Sequence, residues 1–171
     1  MEGLLTKEIK ESLEKVISHC FYANRILDRI CSVLSVSFVM PITSNILHHK
    51  LAHRYPILAD VVSDYMDSRD CTTIYGETVK GDQEYENYLE CLNRVLEINL
   101  ELERLIKDSI ELALKTGDYT TKVYLEKFLL DIIPITKDIL FLVDKAEIYG
   151  DNELGMMRFD HDITDFNIFA G

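Results

Sequence analysis

Apolar side chains recur along this chain at alternating steps of three and four, the spacing that lines one face of an α-helix. In the first run Ile9, Leu13, Val16, Cys20, Ala23, Leu27, Ile30 and Leu34 form one seam, which predicts a helix from an N-cap at Thr6 to about Val36. Residues 35–43 carry Pro41 and several β-branched side chains and read as a connection. A second seam, Leu47, Leu51, Tyr55, Leu58, Val62 and Tyr65, predicts a helix from Thr43 or Ser44 to about Thr72. Pro56 lies inside it, removes a backbone donor and should kink it. After a polar turn at 74–83 the third seam is Tyr88, Leu92, Val95, Asn99, Leu102, Ile106, Ile110 and Ala113, closed by Lys115 and a C-cap glycine, Gly117. The fourth helix starts at once on Asp118, carries Leu125, Phe128, Ile132, Ile135, Ile139, Leu142 and Ala146, and stops near Gly150. Pro134 marks a second kink.

Helices of roughly 27 to 34 residues would each span about 40 to 50 Å. That regularity predicts an all-α four-helix bundle over residues 1–150, followed by a C-terminal tail, 151–171. The tail holds Phe159, Phe166, Ile168 and Phe169, and is expected to dock on the bundle or on a neighbouring subunit. Val33, Val36, Phe38, Val39 and Ile42 around the first connection, with Phe166 and Phe169, are more apolar than one bundle needs to cover and predict self-association.

Composition narrows the function. With 30 Asp and Glu against 18 Lys and Arg the net charge is −12, a surface that repels nucleic acid and suits cations or basic partners. Cys20, Cys31, Cys71 and Cys91 have no CxxC spacing and fall within helical patterns, as buried free thiols of a reducing compartment do. The longest uncharged run, 30–47, is too polar for a membrane span, and the charged start MEGLLTKEIKESLEK is not a signal peptide. A cytoplasmic protein is expected.

One polar stripe carries candidate chemistry. His49, His53, Asp60, Asp64 and Asp67 follow steps of four, seven, four and three along one side of the second helix. Imidazole and carboxylate donors suit iron, zinc or manganese. The ends of the stripe lie about 27 Å apart, so an ion would take a subset plus residues from another helix or subunit. The plainer reading is a solvated acidic face with two incidental histidines. His48 points nearer the apolar seam and reads as a core-edge residue; His19 and His161 read as structural and surface histidines. Within the bundle Asn99 is the main polar break, with Glu126 and Asp131 one step to either side, and no Glu-x-x-His occurs, so a di-iron centre of the usual kind is not expected. No phosphate-loop, dinucleotide, nucleophile-elbow or HExxH motif is present.

Two stretches resemble the ferritin-like superfamily, closest in layout to its Dps-type mini-ferritins. Asp64, Asp67 and Asp70 ahead of Gly76 are similar to the end of that family's second helix, and Ala113 to Leu125, turning at Gly117 and Asp118, to its third corner. The resemblance covers about 140 residues. It implies a four-helix bundle, a homo-oligomeric shell, and iron held between subunits by the first two helices. Asp67 occupies the position of a family aspartate ligand, and His53 falls within one residue of a family histidine. The glutamate four residues after that aspartate is Cys71 here, with Asp70 beside it, and the aspartate four after the histidine is Ile57. The first-helix histidine has no counterpart, so the ferroxidase ligand set implied by the family is incomplete, and its basic DNA-binding tail is not found.

The metal candidates are therefore His49, His53, Asp60, Asp64, Asp67 and Asp70, for iron or another divalent metal in storage or stress protection. The competing class is a metal-free helical interaction protein that binds a protein partner through its acidic faces and apolar tail. The resemblance also makes a topological demand. The second connection must run the length of the bundle, roughly 40 Å, and 74–83 reaches at most about 35 Å, so the second helix must end early, near Arg69.

Overall fold

The computed structural model describes residues 3–170, and all of their regular structure is helical. Helix α1 (Lys7–Val36) is capped by Thr6, whose hydroxyl oxygen accepts from the Ile9 amide. The chain re-enters as α2 (Pro41–Leu47), with Pro41 in the first turn, where its missing amide has no intrahelical partner to lose. One π-helical turn, His48–Ala52, leads into α3 (Arg54–Ser68). The predicted second helix is thus three consecutive segments, starting two residues early and stopping at Ser68 rather than Thr72. Then follow α4 (Tyr88–Thr116) and α5 (Tyr119–Tyr149). Gly117, at φ 76°, takes the left-handed conformation that ends α4, and Asp118 caps α5 by accepting from the Thr121 amide. Two short elements close the chain, α6 (Glu153–Asp162) and a 3₁₀ turn (Ile163–Phe166).

Cross-links along the bundle fix the direction of each helix. The Leu4 amide donates to the Arg69 carbonyl, so α3 ends where α1 begins. Ser12 meets Ser109, His19 meets Ile98 and Arg94 meets Tyr22, so α4 runs antiparallel to α1. Helices α3 and α4 are therefore parallel, and 69–87 must return the whole length between them. It does so along α1: the Ile74 amide donates to Glu14, Gly81 lies against Arg25, and Arg29 donates to the Gln83 carbonyl. This is the crossover the early helix end was expected to permit, and not a hairpin.

The core runs unbroken from Ile9 to Ala146, and the segment after Gly150 adds to it. Phe159 and Ile163 are buried, and Asp160 accepts from the Thr43 amide at 2.7 Å, capping α2 from a distant part of the chain. Phe169 is only 3% exposed and Val33 5%, so both are covered within this chain and leave the apolar surface set expected for self-association. The fold-back of the segment after Gly150 also places Phe166 edge-on to Phe159, Phe141 and Tyr149. Val36 and Val39 do remain outside, at 76% and 75%.

The four cysteines are free and buried, and burial pushes the thiols of Cys20, Cys31 and Cys91 up to about 12, which makes them poor nucleophiles. Among the described residues no helix is long and apolar enough to cross a membrane.

Candidate metal centre

The site begins with Pro56. Lacking an amide hydrogen, it cannot donate to the carbonyl of Ala52, and its ring crowds that carbonyl. The orphaned oxygen is taken by the side chain of Asn24 on α1, 2.9 Å away. Immediately before it the helix widens: the His53 amide reaches back five residues to the His48 carbonyl at 3.2 Å. In an unbroken α-helix positions five apart differ by about 140° around the axis. The π turn reduces that offset.

As a result three imidazoles converge. The rings of His48 and His53 are 4.4 Å apart, His48 and His49 4.7 Å, and His49 and His53 5.3 Å. Each offers one nitrogen, and those three nitrogens lie within 4.8 Å of one another, the one three-donor group of this kind among the described residues. Nitrogens sharing one ion at metal–nitrogen distances of about 2.0 Å would stand roughly 3.3 Å apart. His49 and His53 are exposed and His48 half-buried, which leaves the exposed rings room to rotate toward that spacing. Asp28 Oδ1 is enclosed without a hydrogen-bond partner, 3.6 Å from His48 Nε2, where a carboxylate can orient the ring. Beside the histidines opens a cavity of about 370 Å³ lined by His49, Lys50, His53, Arg54, Ile57, Phe169 and Ala170.

His48 thus joins the pair it was expected to stand apart from. Regular helical spacing turns it toward the seam; the π turn brings it round. Its signal in the sequence was Pro56, whose effect was read as a kink and not as a change of register. The acidic part of the stripe lies elsewhere. Asp60, Asp64 and Asp67 are exposed along α3, and Asp70 is exposed at the start of the crossover with φ 57°. None of the four joins the histidines in a three-donor group.

At the same level inside the bundle the chemistry is different. Tyr55, fully buried, donates to Asn99 at 2.8 Å, and Asn99 donates to Thr136 at 2.6 Å. Burial holds the Tyr55 phenol well above its ordinary pKa, as a neutral donor. The hydroxyl of Thr136 continues to the half-buried Glu103 and to the Ile132 carbonyl. Glu126 and Asp131 point outward and are exposed. Among the described residues the one buried carboxylate is Asp160, which caps α2. A di-iron centre needs several carboxylates facing the bundle axis, and this interior, closed by a tyrosine, an asparagine and a threonine, does not fit one.

The other histidines have separate tasks. His19 Nε2–H donates to the Ile98 carbonyl at 2.8 Å, and burial lowers its pKa below the usual 6.5. His161, exposed on α6, donates from Nδ1 to Asp162 at 2.9 Å, and that bond raises its pKa.

No protein-family model and no curated protein matches the chain. Solved structures do. An open-pore ferritin from the hyperthermophilic archaeon Archaeoglobus fulgidus superposes with a TM-score of 0.86 at 16% identity, over 94% of this chain and 97% of that one. A humanized archaeal ferritin gives 0.85 at 18%, over 94% and 96%. The ferritin of Chlorobium tepidum gives 0.81 at 18%, over 94% and 98%. At these identities the likeness is one of backbone. The chain has the ferritin fold.

Proposed function

We propose that this protein is a cytoplasmic, homo-oligomeric, metal-binding member of the ferritin-like superfamily that holds a divalent ion through His48, His49 and His53. Its role is iron storage or protection from metal stress, and the ion is iron or another divalent first-row metal. One observation carries this: three imidazole nitrogens within 4.8 Å on a π turn. Such turns are frequent at functional positions. Asp28, 3.6 Å from His48 Nε2, stands where a carboxylate would orient that ring once an ion is bound. Asp60, Asp64 and Asp67 supply negative field that draws cations along α3, and Asp70 extends it. Because the bundle interior has no set of several carboxylates facing its axis, ferroxidase chemistry is not part of the proposal.

Homo-oligomerisation is supported by the ferritin fold and by Val36, Val39 and Ile42, which stay exposed at the α1–α2 corner. The same corner would serve the competing class, a metal-free protein that docks another protein.

Thermal melts separate the two. Zn²⁺ or anaerobic Fe²⁺ should raise the melting temperature at pH 7.5 and much less at pH 5.5, since protons compete with metal for imidazole nitrogen. The His53→Ala variant should not respond at either pH. A melting temperature indifferent to metal in the parent protein would sink the metal reading in favour of the interaction protein.

A further inference from the structure

Three histidines do not complete a coordination sphere. A tetrahedral ion has a fourth position, and with three protein ligands it is commonly open to solvent or to an exogenous ligand. The side chains near the site do not supply that ligand from the cavity side. Asp60, the next acid along the stripe, is seven residues beyond His53, about 10 Å along the helix. Asp28 faces His48 and does not line the cavity.

Charge points the same way. Three neutral imidazoles leave a divalent ion with its full charge, and the cavity beside His49 and His53 adds the cation Lys50, with Arg54 engaged at its wall. Arg54 also donates to the Phe169 carbonyl at 3.4 Å, which seats the tail as the opposite wall. The Phe169 amide is held in turn by Asp138 Oδ2 at 2.7 Å. The wall is thus tied at both faces of one residue, and a space of about 370 Å³ is kept open in front of His49 and His53. Within a protein that carries a net charge of −12, this is a cationic recess.

We propose that the ion held by His48, His49 and His53 takes a small oxyanion as its further ligand from this cavity, with Lys50 bonding the anion's outer oxygens. The inference rests on the metal-binding reading above and deepens it. The step is ligand exchange alone: an anion oxygen replaces a metal-bound water, and no proton or electron need move.

Co²⁺ is the probe, because its visible bands report the ligands around it. The full-length protein is loaded with Co²⁺ and desalted, then titrated with inorganic phosphate in one arm and bicarbonate in another. The expected result is a saturable change in the bands, with Co²⁺ still on the protein after a second desalting. The arm that saturates at the lower concentration identifies the class of oxyanion. Lys50→Ala should raise the anion concentration for half-change roughly threefold or more, as expected for loss of one charge contact, and leave Co²⁺ affinity unaltered. Bound Co²⁺ whose bands ignore both anions would overturn the inference and leave the metal reading standing. So would bands that change with protein concentration instead of anion, since the ligand would then come from a second copy. An unaltered anion titration in Lys50→Ala would overturn the role of the cavity. Failure to bind Co²⁺ at all would remove the metal reading and this inference with it.

Discussion

Two places at the middle of the second helix, one facing the bundle axis and one facing away, have opposite characters. On the axis, Tyr55, Asn99 and Thr136 pair with one another and shut the interior. On the outer side, one turn earlier, His48, His49 and His53 bring three ring nitrogens within 4.8 Å of one another, with Asp28 3.6 Å from His48. The first arrangement satisfies every polar atom it buries and has nothing left to offer a ligand. The second brings three donors together, and its backbone departs from α geometry. The same backbone supports a sealed core and an open site because Pro56 and Asn24 alter the helix just where the two meet.

The contrast can be broken from either side. The largest effect is expected on the outer face. Metal at 100 times its dissociation constant should stabilise the protein by about 2.7 kcal/mol, and His53→Ala should lose all of it while changing metal-free stability by no more than about 0.5 kcal/mol. Chemical denaturation with and without Zn²⁺ reads both numbers. Next comes the core: Asn99→Leu strands the buried Tyr55 hydroxyl and should cost about 2 kcal/mol, with the metal-induced shift intact. Tyr55→Phe added to it should recover part of the loss. If Asn99→Leu instead abolished the metal response, the two places would not be independent.

Pro56→Ala addresses the link between them. A restored amide at 56 can donate to the Ala52 carbonyl, which allows the helix to return to α register and swings His48 away from His53. Metal affinity should fall about tenfold, or 1.4 kcal/mol, with folding stability equal or higher. Unchanged affinity by calorimetric titration would mean that the π turn does not depend on the proline. The smallest effect is at His19. Its folded-state pKa lies below 6.5, so on acidification the unfolded chain takes up the proton first. Its contribution is present above about pH 6.5 and is lost as pH falls from there through the folded-state value. His19→Gln should flatten that part of the stability curve and leave metal binding alone.

Much of the fold was legible because seams and caps are local. Thr6, Gly117 and Asp118 act where their types predict, and the helix ends they mark are correct. The end of α3 was legible only through a length requirement, since nothing in the residues at 69–72 breaks a helix as strongly as glycine or proline does. The apolar residues of the tail led to the expectation that it docks on the bundle or on a neighbouring subunit, but the seat of Phe169 was not legible, because it depends on Asp138 and Arg54, far away in sequence. In the candidate site, the stripe rule found His49 and His53 but excluded His48, since a period of 3.6 holds only while the helix is regular. The acids at 60, 64 and 67 share a side with the histidines and still belong to a different stretch of surface.

The crossover at 69–87 has a consequence for how the chain reaches its native state. Helices α1 to α3 form one antiparallel hairpin and α4 with α5 another, and each is assembled from neighbours in sequence. Only the crossover and the fold-back of α6 demand closure of long loops, so the two hairpins can form first and dock second. The joining strap has no regular structure, and much of it is exposed from Ile74 to Lys80. A single proteolytic cut there would leave both hairpins whole, with Ser12 on Ser109 and His19 on Ile98 still between them. The nicked molecule should therefore migrate as one particle until denaturant separates its halves.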